Sequence, residues 1–482
     1  MGPCNRWIVR SLSIVAMSVV ALPASAQLGG LGGVPSLPGG GGMPGGSLPM
    51  GGFPDLPRTP SLPATPRASS VRAPTLPLPV STPVLPPTVG GLVRETQALA
   101  GQSLTALHGQ QIQTLIRDHA DVIDVDDQGQ AVVRGEVLAL SPSPQSLDIA
   151  RKAGFRVGEE TRLDGLGLST VTLSPPPGVS AREAVRRLKA LDHQGQYDFN
   201  HIYLGAGVVT ASSRGRVAGG KGGAGIRIGL VDGGVAAHPS LGHVEQRGFA
   251  PGGLKISAHG TAVASLMVGR GGGFRGAAPG ARLLVADVYG GSPTGGSAAI
   301  IAQALSWMAQ NKVPVINISL VGPPNLTLQA AMAALVARGH MVVAAVGNDG
   351  PAALPLYPAA YPGVVSVTGV DARRKVLPEA GRGGHVDFAA PGADMAGASS
   401  QGGYVALRGT SFAAPLVAGR LALNLPSPDR AGAARAMADL SRQATDLGAR
   451  GPDPIYGKGL VAFDLLTSPM AVGAGRALLA GE

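Results

Sequence analysis

The chain has 482 residues, enough for two or three domains, yet only 14% are charged and 4% aromatic, while 74 glycines and 41 prolines are unevenly spread. Its formal net charge of +10 comes from scattered side chains, mostly arginine. With no basic cluster interleaved with aromatics, this charge reads as general solvation and loose attraction to anionic surfaces, and a nucleic-acid footprint is excluded. The single cysteine, Cys4, sits at the extreme start, so the chain beyond it has no disulfide and no Cys-ligated metal.

In chain order, Arg6 and Arg10 precede a short apolar core (residues 11–22), and Ala24-Ser25-Ala26 gives a small-x-small site. This predicts a cleaved export signal over residues 1–26. The apolar core is too short to span a bilayer comfortably, which makes a retained anchor the weaker reading. Residues 27–91 are so rich in Gly and Pro that a disordered or polyproline-like linker is expected.

Residues 92–215 begin with a helical lead-in to about residue 121. "AVVRGEVLAL" (131–140) then reads as a strand and "PSPQSLDIARKAGF" (142–155) as a helix. "FRVGEETRL" and "LGLSTVTLS" are a strand pair. "VSAREAVRRLKALD" is a second helix, with Ser180 and Glu183 at capping-box spacing, and "YDFNHIYLG" is a closing strand. The resulting βαββαβ order over about 131–203 is the ferredoxin-like arrangement, and it carries no catalytic set of its own.

A glycine-rich linker (216–225) leads into a longer region, 226–466, with a tail at 467–482. Nearly continuous apolar runs such as "IRIGLVD", "RLLVADVYG", "VPVINISL" and "HMVVAAVGN" alternate there with helical stretches, among them 297–311 and 326–339. That alternation predicts an α/β fold with a mostly parallel sheet and helices on both faces. Functional residues in such sheets gather beyond the carboxyl ends of the strands.

Four residues stand at such places. Asp232 ends "IRIGLVD", His259 opens the apolar helix "SAHGTAVASLMVG", Asn348 ends "HMVVAAVGN", and Ser411 heads "GTSFAAPLVAG". Taken singly, Asp232 and Asn348 are turn residues, His259 a structural hydrogen-bonder and Ser411 a helix cap. Taken together they supply an acid, a base, an oxyanion donor and a nucleophile, in the order Asp…His…Asn…Ser.

The motifs "VDGG", "HGTAVA", "NISL", "AVGNDG", "YPAAYP" and "GTSFAAPLVAG", with the closing "ATDLGARGPDPIYGKGLVAFDLL", make residues about 225–466 resemble the catalytic domain of a subtilase, a subtilisin-like serine peptidase. The resemblance implies that Ser411 is the nucleophile, His259 the proton carrier and Asp232 its orienting carboxylate. Asn348 and the Ser411 N–H would then form the oxyanion hole. Ser319, Leu320, Val321 and Gly322 would lie along the substrate, and Ala344, Ala345, Val346 and Gly347 would line a primary pocket that disfavours charged side chains.

Three departures matter. "SLVG" stands for the usual Ser-Leu-Gly-Gly, so Val321 narrows one subsite. Ala262 and Leu416 replace common histidines. "SLMVGRGGGFRGAAPG" lacks the Asn-rich loop that binds calcium in some relatives, so no metal is expected there. No cofactor is expected to be required, and weak calcium binding elsewhere is left open.

By the same resemblance the βαββαβ unit is an inhibitor-type propeptide. It would block the cleft and template a parallel sheet that is slow to fold, with self-cleavage between about Tyr203 and Gly225. The expectation is therefore a secreted or periplasmic serine endopeptidase made as a zymogen. It would act on proteins or peptides, be inhibited by its own propeptide, and bind neither nucleic acid nor, after signal removal, the membrane interior. The alternative is a non-catalytic, envelope-associated binding protein on the same scaffold. A nucleotide-binding protein is set aside, because neither GxGxxG nor GxxxxGK[ST] follows the first strand.

Overall fold

The computed structural model describes residues 109–205, 207–213 and 225–474. The expected export signal, the Gly/Pro-rich linker, most of the helical lead-in, residues 216–224 of the second linker and residues 475–482 of the tail lie outside these.

The first part runs as helix α1 (109–118), then β1 (Ile123–Val125), β2 (Ala131–Leu140), α2 (Pro144–Lys152), β3 (Arg156–Leu163), β4 (Leu168–Ser174), α3 (Ala181–Leu191) and β5 (Tyr197–His201). Strand β2 pairs with β1, β4 and β5, and β4 pairs with β3, all antiparallel. The elements from β2 to β5 are the expected βαββαβ unit. Helix α3 buries Ala181, Ala184, Val185 and Leu188, the i, i+3, i+4, i+7 stripe of an amphipathic helix. Ser180 Oγ accepts from Glu183 N at 3.3 Å. The closing strand expected over "YDFNHIYLG" is in fact broken. It leaves the sheet after His201, and Leu204–Gly205 (β6) pairs with a different partner.

From here the strands are β7 (Val208–Ser213), β8 (Arg227–Asp232), β9 (Val244–Gly248), the ribbon β10 (Arg270–Gly271) and β11 (Phe274–Arg275), β12 (Arg282–Asp287), β13 (Val315–Ile318), β14 (Leu320–Val321), β15 (Met341–Ala345), β16 (Val365–Val370), β17 (Phe388–Pro391), β18 (Met395–Ala398) and β19 (Tyr404–Arg408). Seven of them form one parallel sheet in the order β17-β16-β15-β13-β8-β12-β9. Helices α4 (Ala258–Val268) and α7 (Ala414–Ala422) pack on one face, and α5 (Ala298–Gln310) and α6 (Leu326–Ala337) on the other. Alternate residues feed the two cores: Ile228 and Leu230 one, Val231 and Ile316 the other. Burial on both faces is why these strands read as unbroken apolar runs.

The chain leaves β8 toward β12 on one side and later returns as β13 on its other side. That reversal opens a crevice at the carboxyl ends of β8 and β13, where α/β sheets bind ligands. The βαββαβ sheet docks on the α5/α6 face, with Leu138, Leu163 and Leu166 entering the same core as those helices. At Gly165 a Cβ would stand 2.2 Å from Ser306 O, so only glycine allows this approach. Asp198 Oδ2 accepts from Leu326 N at 2.7 Å and Asn200 Oδ1 from Ala299 N at 3.1 Å. One side chain each thereby satisfies a free first-turn amide of α6 and of α5.

Candidate active site

Asp232, the last residue of β8, is fully buried, and its Oδ1 accepts from Gly233 N at 2.7 Å. His259 is the second residue of α4, whose start is capped by Ser257 Oγ accepting from Gly260 N at 3.1 Å. The two meet because the intervening residues are small: a Cβ on Gly260 would stand 2.3 Å from Gly233 O. His259 Nδ1 lies 3.0 and 2.9 Å from the two oxygens of Asp232. A carboxylate can only accept, so Nδ1 carries the proton and Nε2 the lone pair. Nε2 is buried and has no hydrogen-bond partner.

Ser411 sits in a 3-10 turn, Thr410–Phe412, that precedes α7. Gly409 before it has φ +136°, a conformation open to glycine. The helix-cap reading of Ser411 needs correction: α7 has no side-chain cap, its cap position is Ala413, and Pro415 fills its first turn. Ser411 Oγ instead donates to Ser319 O at 3.3 Å, and Ser319 Oγ donates to Ser411 O at 2.9 Å. The Phe412 ring lies 5.4 Å from the His259 ring, so the turn and the head of α4 share one wall.

Asn348 follows β15. Its Oδ1 accepts from Thr410 N at 3.1 Å, while Thr410 Oγ1 accepts from Gly347 N at 3.2 Å. The amide oxygen faces Thr410 N, so the NH2 group is the part of the side chain that can donate. Ser319 to Gly322 run from this cluster along β14. Of the four residues expected to line the primary pocket, Ala344 and Ala345 lie within β15 with their side chains in the two sheet cores. Val346 and Gly347 lie beyond the strand, next to Asn348.

The cleft is occupied by the chain itself. In the antiparallel β6–β14 pair, Leu204 stands opposite Val321 and Gly205 opposite Leu320. A Cβ on Gly205 would be 3.6 Å from the His259 ring, and one on Gly207 would be 3.3 Å from Ser411 Cβ. Tyr203 N donates to Gly296 O at 2.9 Å on the far side. Gln111 and Leu115 of α1 reach the same cleft beside Asp232 and His259. So does Tyr289, whose phenol burial pushes well above its ordinary pKa of 10, helped by the charges of Asp232 and Asp287.

Sequence reasoning missed Tyr203, Asp198, Asn200, Tyr289 and Gly296. The signal for the first three was present in "YDFNHIYLG", where polar residues interrupt the apolar ones, but nothing local shows that alternate residues face a second body.

This arrangement, a buried carboxylate, a histidine of fixed tautomer and a serine at the edge of a parallel sheet with a strand laid beside them, defines the class of serine peptidases. The family model described as "Subtilase family" matches residues 223–459. The chain is 34% identical over 251 residues to Subtilisin Savinase of Lederbergia lenta, covering 51% of this chain and 91% of that protein. The alkaline protease of Alkalihalobacillus alcalophilus is also 34% identical over 251 residues, with 51% of this chain matched but only 65% of that protein, less than two thirds of its length. Among solved structures, fervidolysin from Fervidobacterium pennivorans shares the fold with a TM-score of 0.59 at 21% identity, over 71% of this chain and 62% of that one. The chain belongs to the subtilase family and is a serine-type endopeptidase, whose substrates are proteins or peptides. Among the described residues, no helix is long and apolar enough to cross a membrane.

Proposed function

We propose that this chain is the zymogen of an exported serine endopeptidase that cuts itself on the carboxyl side of Ala206. The observation that carries this reading is the placement of Leu204 and Gly205 in the cleft as an added strand, with Gly205 against His259 and Gly207 beside Phe412 and Ser411. β-strand addition of this kind is how extended peptides are held by their backbones.

In the proposed reaction Ser411 Oγ leaves the Ser319 carbonyl and attacks the substrate carbonyl carbon while His259 Nε2 takes its proton. Asp232 holds the imidazole and stabilises the resulting cation without being protonated. The oxyanion receives hydrogen bonds from the Asn348 side-chain amide and the Ser411 N–H, aided by the amide-rich start of the 3-10 turn and α7. His259 then gives its proton to the leaving amine, and water repeats the sequence on the acyl-enzyme. Every step uses protein groups alone, so we propose that no cofactor is required; weak calcium binding would then bear on stability and not on the chemistry.

The βαββαβ unit would act as an intramolecular inhibitor until cleavage releases it. The basic start and small-x-small site of residues 1–26 support export, with the envelope or the medium as destination. The alternative, a non-catalytic binding protein, is separated by one experiment. A fluorophosphonate should label the matured protein but not Ser411→Ala, and N-terminal sequencing should find a start at Gly207. An unlabelled matured protein favours the binding role; a start upstream of residue 190 overturns the proposed maturation.

A further inference from the structure

The loop that carries Asn348 and the turn that carries Ser411 are braced by a third segment, residues 379–381 between β16 and β17. Gly350 N donates to Glu379 O at 2.8 Å and Gly381 N donates to Gly347 O at 3.0 Å, so two bonds bracket Asn348. A Cβ on Gly381 would stand 2.9 Å from Val346 O, a close approach that favours glycine at the end of the bracket. The Glu379 side chain reaches Arg408 at the end of β19, whose Nη2 donates to Glu379 Oε2 at 2.9 Å.

Arg408 stands three residues before Ser411. Thr410, between them, is tied to both Asn348 Oδ1 and Gly347 N. A closed ring thus runs from Glu379 through Gly350, Asn348 and Thr410 to Arg408 and back. The ion pair that closes it is a costly one. The Glu379 side chain is 0% exposed and that of Arg408 14%. Glu379 Oε1 and Arg408 Nε have no hydrogen-bond partner among the described residues. Buried ion pairs can often be replaced by apolar side chains with no loss of stability, whereas removing one partner strands the other charge. Stability alone is therefore a poor account of this pair, and its place between Asn348 and Ser411 is a better one. Every group in the ring lies beyond residue 206 and would stay with the matured enzyme.

We infer that Glu379 is a positioning residue for peptide hydrolysis: through Arg408 and its own carbonyl it holds the Asn348 amide in register with Ser411. This rests on the oxyanion role proposed for Asn348. A donor aimed in advance at the developing charge needs no reorganisation during the reaction, and the ring supplies that aim. Glu379 is itself shut off from solvent and acts only through the loop and the turn it joins.

The test uses enzymes matured from the full chain and an internally quenched peptide based on residues 200–211. Glu379→Gln keeps the shape and an acceptor but removes the charge. It should lower kcat about tenfold with KM unchanged, a fraction of the loss expected from removing the Asn348 amide itself. The apolar pair Glu379→Leu with Arg408→Met leaves no charge stranded, so it should melt like the wild type while its kcat stays low. It carries the same comparison if Glu379→Gln does not fold. In an Asn348→Ala background Glu379→Gln should lower kcat no further, because the group it positions is gone. Four results overturn the inference and leave the peptidase intact: an unchanged kcat in Glu379→Gln, a wild-type kcat in the apolar pair, a change confined to KM, or a tenfold loss that persists without the Asn348 amide. An unchanged kcat in Asn348→Ala alone overturns the oxyanion reading and this inference with it.

Discussion

Helix α3 of the first part buries one stripe and leaves Arg182, Arg186, Arg187 and Lys189 in water, whereas α4 of the catalytic part buries every residue from Gly260 to Val268. The difference is one of how each part can fold. An amphipathic helix on an antiparallel sheet of near neighbours in sequence can gain its burial locally. A helix apolar all round has nowhere to put its far side until strands distant in the chain have assembled around it. The catalytic sheet also needs its α5/α6 face covered, and it is there that the βαββαβ unit docks, with Asp198 and Asn200 on the two helix starts. The first part thus supplies contacts that the second makes late.

The two parts should be separable by chemistry before they are separable by stability. Ser411→Ala is expected to lower peptide hydrolysis by on the order of 10⁶-fold and to leave the chain uncut, as read by gel mass. Both parts should stay folded, because the substitution removes one hydroxyl, with its long hydrogen bond to Ser319 O, and leaves the turn's apolar packing in place. An Ser411→Ala chain that still matures to Gly207 would mean another agent makes the cut. The next largest effect is Asn348→Ala, with kcat down about 10²–10³-fold and KM little changed, since the amide would act on the oxyanion and not on the bound peptide. A fall confined to KM would argue that Asn348 only shapes the loop through Thr410.

How much of this could be read beforehand differs between the parts for the same physical reason. The strands and helices of the βαββαβ unit followed from local pattern, down to the Ser180–Glu183 cap. The parallel sheet followed from its apolar runs, and Asp232, His259 and Asn348 from standing at strand and helix ends. What escaped was whatever depends on a second surface. The break after His201 was invisible because β6 answers to β14, more than a hundred residues away. Ser411 looked like a cap because Ser before an apolar run usually is one, and only the 3-10 turn and the Ser319 contact show otherwise. Tyr203 looked like one more apolar strand residue.

A third experiment sharpens the comparison at the interface. Asp198→Ala and Asn200→Ala should each cost about 0.5–2 kcal/mol in the uncut Ser411→Ala chain, the usual loss of a helix-start acceptor, seen as a lower melting temperature. Enzymes matured from the wild-type and substituted precursors should melt alike, since neither would keep those residues. A difference between the matured enzymes would place the effect in folding history and not in the caps.

The smallest expected effect concerns acid and belongs to the catalytic part. His238, His340 and His385 all have pKa values lowered from 6.5, chiefly by burial; backbone carbonyls of Gly403 and Val313 and the charge of Asp387 oppose the shift only in part, and Arg338 adds to it at His340. At His238 the neutral form is also fixed by geometry. Nδ1 accepts from Ser240 N at 3.1 Å, so the proton is on Nε2, which donates to Gly403 O at 2.9 Å. Adding a second proton would set it against the Ser240 amide. In the unfolded chain these side chains take up protons from 6.5 downward, while the folded chain resists, so the unfolded state binds more protons there and stability is lost as the pH falls. The contribution is fully present above 6.5 and is lost as the pH drops through the lowered values. Melting of the matured enzyme should therefore fall on acidification below 6.5, and His238→Gln, which keeps a donor for Gly403 O, should make that fall shallower. An unchanged slope in His238→Gln would mean that this buried histidine is already neutral in both states over the range measured, and that the acid sensitivity lies elsewhere.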